Sequence, residues 1–276
     1  KRSKKLMYKY CKNRVRSVIL LLCFYPVISM QKVFILAVTI CMLIAGHSQA
    51  GVEIQLFSDV DFAYQNFQQK KESAFSIPTF DIFSTTSAER WTFLAELLIE
   101  FSEDNAIAVD LERVEIGYLI SDKFRIRAGR FHSAIGYYND SYHHGSYFEV
   151  ATGRPIIQSF EDEGGFLPVH LVGIHIDGRI PIGKAVRLRY DVDIANGRGE
   201  TVEEITNISD RNNHKAVNLR LRLEPQAILS GLILGSNIYF DEIQSQLFQQ
   251  ELKEMIVGGH IAYTTFPWHI ISEVTL

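Results

Sequence analysis

Apolar residues occupy every second position in segment after segment of the chain from Gly51 onward. Residues 186–194 read VRLRYDVDI and residues 217–223 read VNLRLRL. Because successive side chains of a β-strand point to opposite faces, each run has one apolar face and one charged face. In a soluble sandwich the charged face meets water and the apolar face meets a core. In an outer-membrane barrel the apolar face meets lipid and the charged face lines a wet lumen.

The strands and their connections favour the barrel. Most predicted strands have about the 9–11 residues that a tilted strand needs to cross a bilayer. Tight turns alternate with long connections at 66–74, 132–166, 196–213 and 242–253, which is the asymmetry of periplasmic turns and extracellular loops. A helical turn or two is expected only around 243–254. We predict eleven strands, at 52–65, 75–84, 91–101, 107–120, 123–131, 167–180, 185–195, 214–224, 229–241, 254–265 and 268–276.

The alternation also assigns faces. Apolar side chains such as Val114, Ile116, Leu188 and Ile194 are expected to point outward. A soluble barrel would fill its interior with apolar side chains, because burying unpaired charge is costly. Inward charges therefore need a water-filled interior or ion pairs between neighbouring strands. The residues predicted to point inward are Arg113, Glu115, Arg125, Arg127, Arg187, Arg189, Asp191, Asp193, Arg220 and Arg222.

The first fifty residues differ from the rest. They hold nine Lys or Arg, no Asp or Glu, and all three cysteines. Met30–Lys32, the apolar run 33–45 and the small residues before Gly51 are typical of a signal peptide at 30–50, with cleavage after Ala50 and export to the bacterial outer membrane. An uncleaved anchor is the alternative. We expect residues 1–29 to be a mis-called upstream extension.

Charge excludes one class of partner. From Gly51 onward the chain has 19 basic and 32 acidic residues, a net charge of about −13. Such an acidic protein is not expected to bind nucleic acid.

The odd strand number, and an alternating run that continues to Leu276, predict that the barrel of 51–276 is truncated at its carboxyl end.

Two segments resemble the porin superfamily. Residues 109–118 (VDLERVEIGY) and 124–132 (FRIRAGRFH) resemble a strand pair ending in Gly-Arg-Phe before a long third loop. Residues 135–139, 142–145, 154–155 and 160–168 resemble a group of uncharacterised bacterial porin-like proteins. This resemblance implies an all-β, transmembrane, antiparallel up-and-down barrel and suggests passive transport. It brings no assigned substrate.

The long loop 132–166 gathers the unusual polar residues. A loop of this length without secondary structure is usually functional. We predict that it folds into the lumen, where opposed charges would orient small hydrophilic solutes; packing outside the pore is the alternative. The residues predicted at the constriction are Arg125, Arg127, Arg130, His143, His144, Arg154, Glu161, Asp162 and Glu163.

Other chemistries are less well supported. His143 and His144, with His132, His170 and nearby carboxylates, offer zinc ligands, but no fixed short spacing supports a site, so no metal is predicted. The acidic run 161–163 lacks the ligand pattern of a calcium loop. No serine lies in a nucleophile elbow, so an enzyme is not expected.

The sequence therefore predicts an outer-membrane porin-like channel, without a cofactor, for small hydrophilic solutes or ions. A structural or adhesive barrel without an open pore is the alternative, and an outer-membrane enzyme is less favoured. The expected partners are outer-membrane lipid, lipopolysaccharide and the solutes. General porins usually form trimers, so a homotrimer is compatible with this prediction, but no interface is identifiable.

Overall fold

A computed structural model of the chain describes residues 51–67, 70–102, 106–143, 154–160, 165–199, 208–209, 214–245 and 250–276. The predicted signal peptide and upstream extension lie outside these ranges. No helix within them is long and apolar enough to span a membrane.

The described residues form thirteen strands, all paired antiparallel. Eleven of them make one sheet in the order β1-β4-β5-β6-β7-β8-β9-β10-β11-β12-β13, and β2 and β3 form a separate hairpin. From β4 onward each strand pairs with the next strand in the chain, so the predicted all-β, up-and-down architecture is confirmed. The strands are β1 Val52–Ser58, β2 Asp61–Phe67, β3 Lys70–Ser76, β4 Thr79–Ala88, β5 Trp91–Phe101, β6 Ile107–Ser121, β7 Phe124–His132, β8 His170–Ile182, β9 Val186–Ala195, β10 Ala216–Glu224, β11 Leu232–Ser245, β12 Gln250–Thr265 and β13 Trp268–Thr275.

Each of the first two predicted strands is divided into two strands in the structure. The range 52–65 is interrupted at Asp59 and Val60, and 75–84 is interrupted at Ile77 and Pro78. Proline has no N–H to donate to a ladder, and the Asp59 carboxylate accepts a hydrogen bond from the Thr79 hydroxyl at 2.6 Å. The chain therefore leaves the large sheet after β1, forms the β2–β3 hairpin where a loop was predicted, and returns as β4.

Two other predictions at strand ends need correction. The expected helical turn around 243–254 is wrong, because β11 continues to Ser245 and β12 begins at Gln250. The loop 132–166 contains a four-residue helix, α1 (Tyr138–Ser141), and a 3-10 turn at Ile156–Gln158.

Burial along the strands is inverted relative to a soluble protein. On β10 the buried side chains are Asn218, Arg220, Arg222 and Glu224, whereas the leucines between them are exposed. The same holds on β6, where Glu115 is buried and Ile116 is 42% exposed. An exterior of exposed leucine, isoleucine and valine on strands of this length is what a barrel presents to lipid. The predicted assignment of faces is confirmed for these strands, and we call the side that carries Glu115, Asp191 and Arg220 the inward face.

The apolar core is small and lies on the inward face. Ile135 and Leu167, from the connection between β7 and β8, pack with Ala216, Tyr239 and Ile256 of β10, β11 and β12. A second cluster joins Phe131, Leu171 and Ala195. The connection after β7 therefore packs against the sheet's interior.

Candidate functional site

Arg125 and Arg127 of β7 form an ion-pair ladder with the neighbouring strands. Arg125 donates two hydrogen bonds of 3.0 Å to the Asp177 carboxylate of β8. Arg127 lies 2.7 Å from Glu115 of β6 and 3.3 Å from Asp177. The attraction between these paired charges offsets the cost of removing them from water on the inward face. The same two arginines line a cleft with Glu53, Thr92 and Glu115.

Arg130 lies apart from these two arginines. Its Nε donates to the backbone carbonyl of Glu112 at 3.0 Å, and its guanidinium is 3.7 Å from Asp110. Alternation along β7 places it on the face opposite to Arg127. The structure therefore brings two of the three predicted arginines together, and not the third.

Residues 133–143, which we call the inserted segment, contact the inward face of β9 to β13 through residues 134–140. Ser133 and Asn139 are almost fully buried. Polar side chains of three strands accept hydrogen bonds from the segment's backbone. These bonds run from Ala134 N to Asp193 at 3.1 Å, from Gly136 N to Asn237 at 3.2 Å, and from Tyr137 N and Tyr138 N to Glu273 at 2.9 and 3.0 Å.

Gly136 makes the close approach of this segment to β13 feasible. Its φ is +75°, a left-handed conformation that L side chains rarely adopt. A Cβ atom at this position would also overlap the Glu273 carboxylate. The backbone conformation therefore favours glycine here, and a larger residue would also displace the Glu273 carboxylate.

Two arginines of β10 hold the inserted segment through hydrogen bonds and ion pairs. Arg220 donates to the Gly136 carbonyl at 2.9 Å, to Asp140 at 2.8 Å and to Asp191 at 3.0 Å. Arg222 bonds the same two carboxylates, at 3.3 and 3.0 Å. The Arg220 side chain is only 2% exposed, and an arginine this buried is tolerated because its donors are paired with charge.

The two arginines determine the ionisation of the Asp140 carboxyl group. Burial alone would raise the pKa of its carboxyl group, but Arg220 and Arg222 outweigh that effect and lower the pKa to about 2. Asp140 is therefore ionised at neutral pH and holds α1 to the barrel wall.

Arg154 contacts its own loop. It donates to the carbonyls of Tyr142 at 3.1 Å, His143 at 2.6 Å and Gln158 at 2.7 Å. Its guanidinium also lies 4.1 Å from the ring centroid of Phe160, within cation–π range. It therefore ties residues 142–143 to residues 158–160.

His143 is buried against the strand wall, beside Glu112, His132 and His170. The remaining predicted constriction residues, His144, Glu161, Asp162 and Glu163, lie outside the described residues. The proposed contact between the acidic run 161–163 and the β7 arginines therefore stays a prediction.

Several residues of this interior were absent from the predicted site. Asp191, Asp193, Arg220 and Arg222 had been assigned to the inward face, and their alternation was the signal that could have placed them in the site. Arg198 had no such signal. It follows β9, is buried, and donates two hydrogen bonds of 2.7 Å to Glu254 of β12.

No protein-family model and no curated protein sequence matches the chain. Structural comparison finds solved outer-membrane proteins. The channel DcaP of Acinetobacter baumannii aligns over 82% of this chain and 64% of its own, with a TM-score of 0.46 and 9% identity. OmpT of Vibrio cholerae, in a trimer form, aligns over 82% and 78%, with a TM-score of 0.36 and 7% identity. Pseudomonas aeruginosa OccK2, solved with glucuronate, aligns over 78% and 61%, with a TM-score of 0.33 and 11% identity.

The chain thus spans less than two thirds of the length of two of these proteins. The fold assignment made above rests on the strand register and the inverted burial of this chain itself.

Proposed function

We propose that this protein is an outer-membrane channel through which small hydrophilic solutes or ions diffuse passively. It is exported by the predicted signal peptide and sits among outer-membrane lipids and lipopolysaccharide, in a homotrimer like that of general porins. No catalytic step and no cofactor are part of this proposal.

The observation that carries the proposal is the inward burial of charge. Asp191, Asp193, Arg220 and Glu224 are buried on the inward face, and the leucines and isoleucines beside them are exposed. A charged inward face opposite an apolar outward face is the arrangement of an outer-membrane barrel with a polar interior. Arg125 and Arg127, beside the cleft lined by Glu53 and Thr92, are the side chains we assign to contact with the solute.

A second candidate, a structural barrel without an open pore, is favoured by the inserted segment. Ala134, Ile135 and Asn139 are almost fully buried, and the segment is anchored by Arg220 and Glu273. Contacts this dense suit a plug as well as a constriction.

Conductance separates the two candidates. The full chain, folded in detergent and added to a planar lipid bilayer, should produce discrete current steps in potassium chloride. Heat-denatured protein in the same detergent is the control and should produce none. If circular dichroism shows that the protein is folded, and it inserts into the bilayer but gives no current steps, the structural barrel would be established.

A further inference from the structure

Four potential metal ligands converge from four separate parts of the chain. Glu112 lies at an irregularity of β6, His132 ends β7, His143 ends the inserted segment, and His170 begins β8. One ligand atom from each lies within 4.8 Å of every other. We propose that these four side chains bind a divalent transition-metal ion, for which Zn²⁺ is the best match.

The distances among three of the ligand atoms suit a metal. The Nε2 atom of His170 lies 2.7 Å from Oε2 of Glu112 and 3.0 Å from Nε2 of His143. The His143 nitrogen is 3.5 Å from the same carboxylate oxygen. In a tetrahedral zinc site with bonds of about 2.0 Å, neighbouring ligand atoms are about 3.3 Å apart. These three atoms therefore already approximate one face of a tetrahedron.

His132 supplies the fourth ligand. Its ring is stacked on that of His143, with the centroids 3.4 Å apart. Because a metal lies in the plane of each imidazole that binds it, this ring rotates out of the stack to complete the tetrahedron. Glu112, His143 and His170 form the preorganised part of the site.

The surroundings favour a bound cation. The side chains of His143 and His170 are 4% exposed, and that of Glu112 is 7% exposed. Burying a carboxylate at this depth needs a compensating positive charge. A divalent ion bound by this carboxylate and three neutral imidazoles supplies that charge and leaves the site with a net charge of +1. Imidazole and carboxylate together are the ligands that zinc accepts.

A closed set of four protein ligands indicates a structural role. Structural zinc sites use four protein ligands, whereas catalytic sites keep one position for water. Glu112, His132 and His170 belong to the β6–β8 wall, and His143 belongs to the inserted segment. The ion would therefore fasten the carboxyl end of the inserted segment to the wall, just beyond the residues that bond with Glu273 and Arg220. This inference does not depend on whether solutes pass through the lumen.

Cobalt provides a spectroscopic test on the full chain in detergent. Addition of Co²⁺ to metal-free protein should produce the visible d–d bands of a four-coordinate site, saturating at one equivalent, and Zn²⁺ should displace them. His143→Ala should weaken Co²⁺ binding at least tenfold, and Zn²⁺ should raise the melting temperature of the wild type but not of this variant. His214→Ala, which replaces a histidine 3.6 Å from the Glu242 carboxylate, is the matched control and should bind as the wild type does.

The spectrum of the wild type decides the question even if His143→Ala does not fold. Octahedral bands, or no saturation at one equivalent, would mean that the four side chains are held together only by their own hydrogen bonds. If His214→Ala weakened Co²⁺ binding as much as His143→Ala does, the metal would bind elsewhere. Either result overturns the proposal.

Discussion

Arg127 and Arg130 show how strongly the face of a strand determines what a residue can do. They are three positions apart on β7, and an odd separation places two side chains on opposite faces. Arg127 joins the ladder with Glu115 and Asp177 on the inward face. Arg130 bonds the backbone of β6. That separation was visible in the sequence, but all three arginines of β7 were predicted at the constriction because they lie just before the long loop.

Arg125 is the arginine best suited to a test of solute contact. Its side chain is 36% exposed, so its replacement leaves less unpaired buried charge than replacement of Arg127. We expect Arg125→Gln to move the reversal potential, measured in a bilayer under a potassium chloride gradient, towards the equilibrium potential of the cation. Removing positive charge from the wall makes the lumen more selective for cations.

Arg130→Gln is the matched control, since it removes the same charge from the other face of the same strand. Its reversal potential should stay at the wild-type value. Equal shifts in both variants would mean that the charge acts through the field of the whole protein and not from the wall of the lumen.

At the scale of elements, the inserted segment is held by charged side chains of strands far away in sequence. Asp140 of α1 pairs with Arg220 and Arg222 of β10, which follow it by 80 residues or more. Glu273 of β13 accepts from the backbone of Tyr137 and Tyr138. The length and composition of loop 132–166 favoured entry into the lumen, but its attachment points could not be predicted, because they depend on the register of β9 to β13.

Asp140→Asn tests this attachment. We expect it to lower the free energy of unfolding by about 1–2 kcal/mol at pH 6, less than the ~3–5 kcal/mol typical of a fully buried ion pair, because the Asp140 side chain is 39% exposed. Urea unfolding in detergent, followed by tryptophan fluorescence, measures the change.

The effect should depend on pH. The folded-state pKa of Asp140 is lowered from 3.8 to about 2, so its stabilising contribution is complete above about pH 4 and is lost as the pH falls through 2. The difference between wild type and Asp140→Asn should therefore shrink between pH 4 and pH 2. Asp122→Asn, in the β6–β7 turn, is the control and should match the wild type throughout. A difference at pH 6 that persists unchanged at pH 2 would rule out the ion pair as its cause.

For the whole molecule, the decisive property is that its apolar surface faces outward. Leu219, Leu221 and Leu223 are about 40% exposed, and the side chains between them are buried. In water such a surface would drive aggregation. In a bilayer it replaces the core that a soluble β protein of this size would need, and this explains why the apolar clusters of the interior are small.

Leu221→Arg tests the orientation of the sheet. An arginine on the lipid-facing side near the bilayer midplane costs about 2–4 kcal/mol, and near the interface about 0–1 kcal/mol. We expect Leu221→Arg to lower the free energy of unfolding by about 2–4 kcal/mol. Gln226→Arg, which lies in the β10–β11 turn, should lower it by only about 0–1 kcal/mol. Unfolding in phospholipid vesicles measures both. A Leu221→Arg protein as stable as the turn variant would mean that this face does not contact lipid.

The sequence by itself determined the fold class, the direction of most strands and the two faces, because a period of two residues is a local property of an extended chain. It did not show the β2–β3 hairpin, where Pro78 and Asp59 interrupt two strands that looked continuous. Only the tertiary structure decided which side chains meet in the interior. Asp140 reaches Arg220, and Glu112 reaches His170, through strand pairing and chain curvature, and such long-range contacts leave no fixed spacing in a sequence.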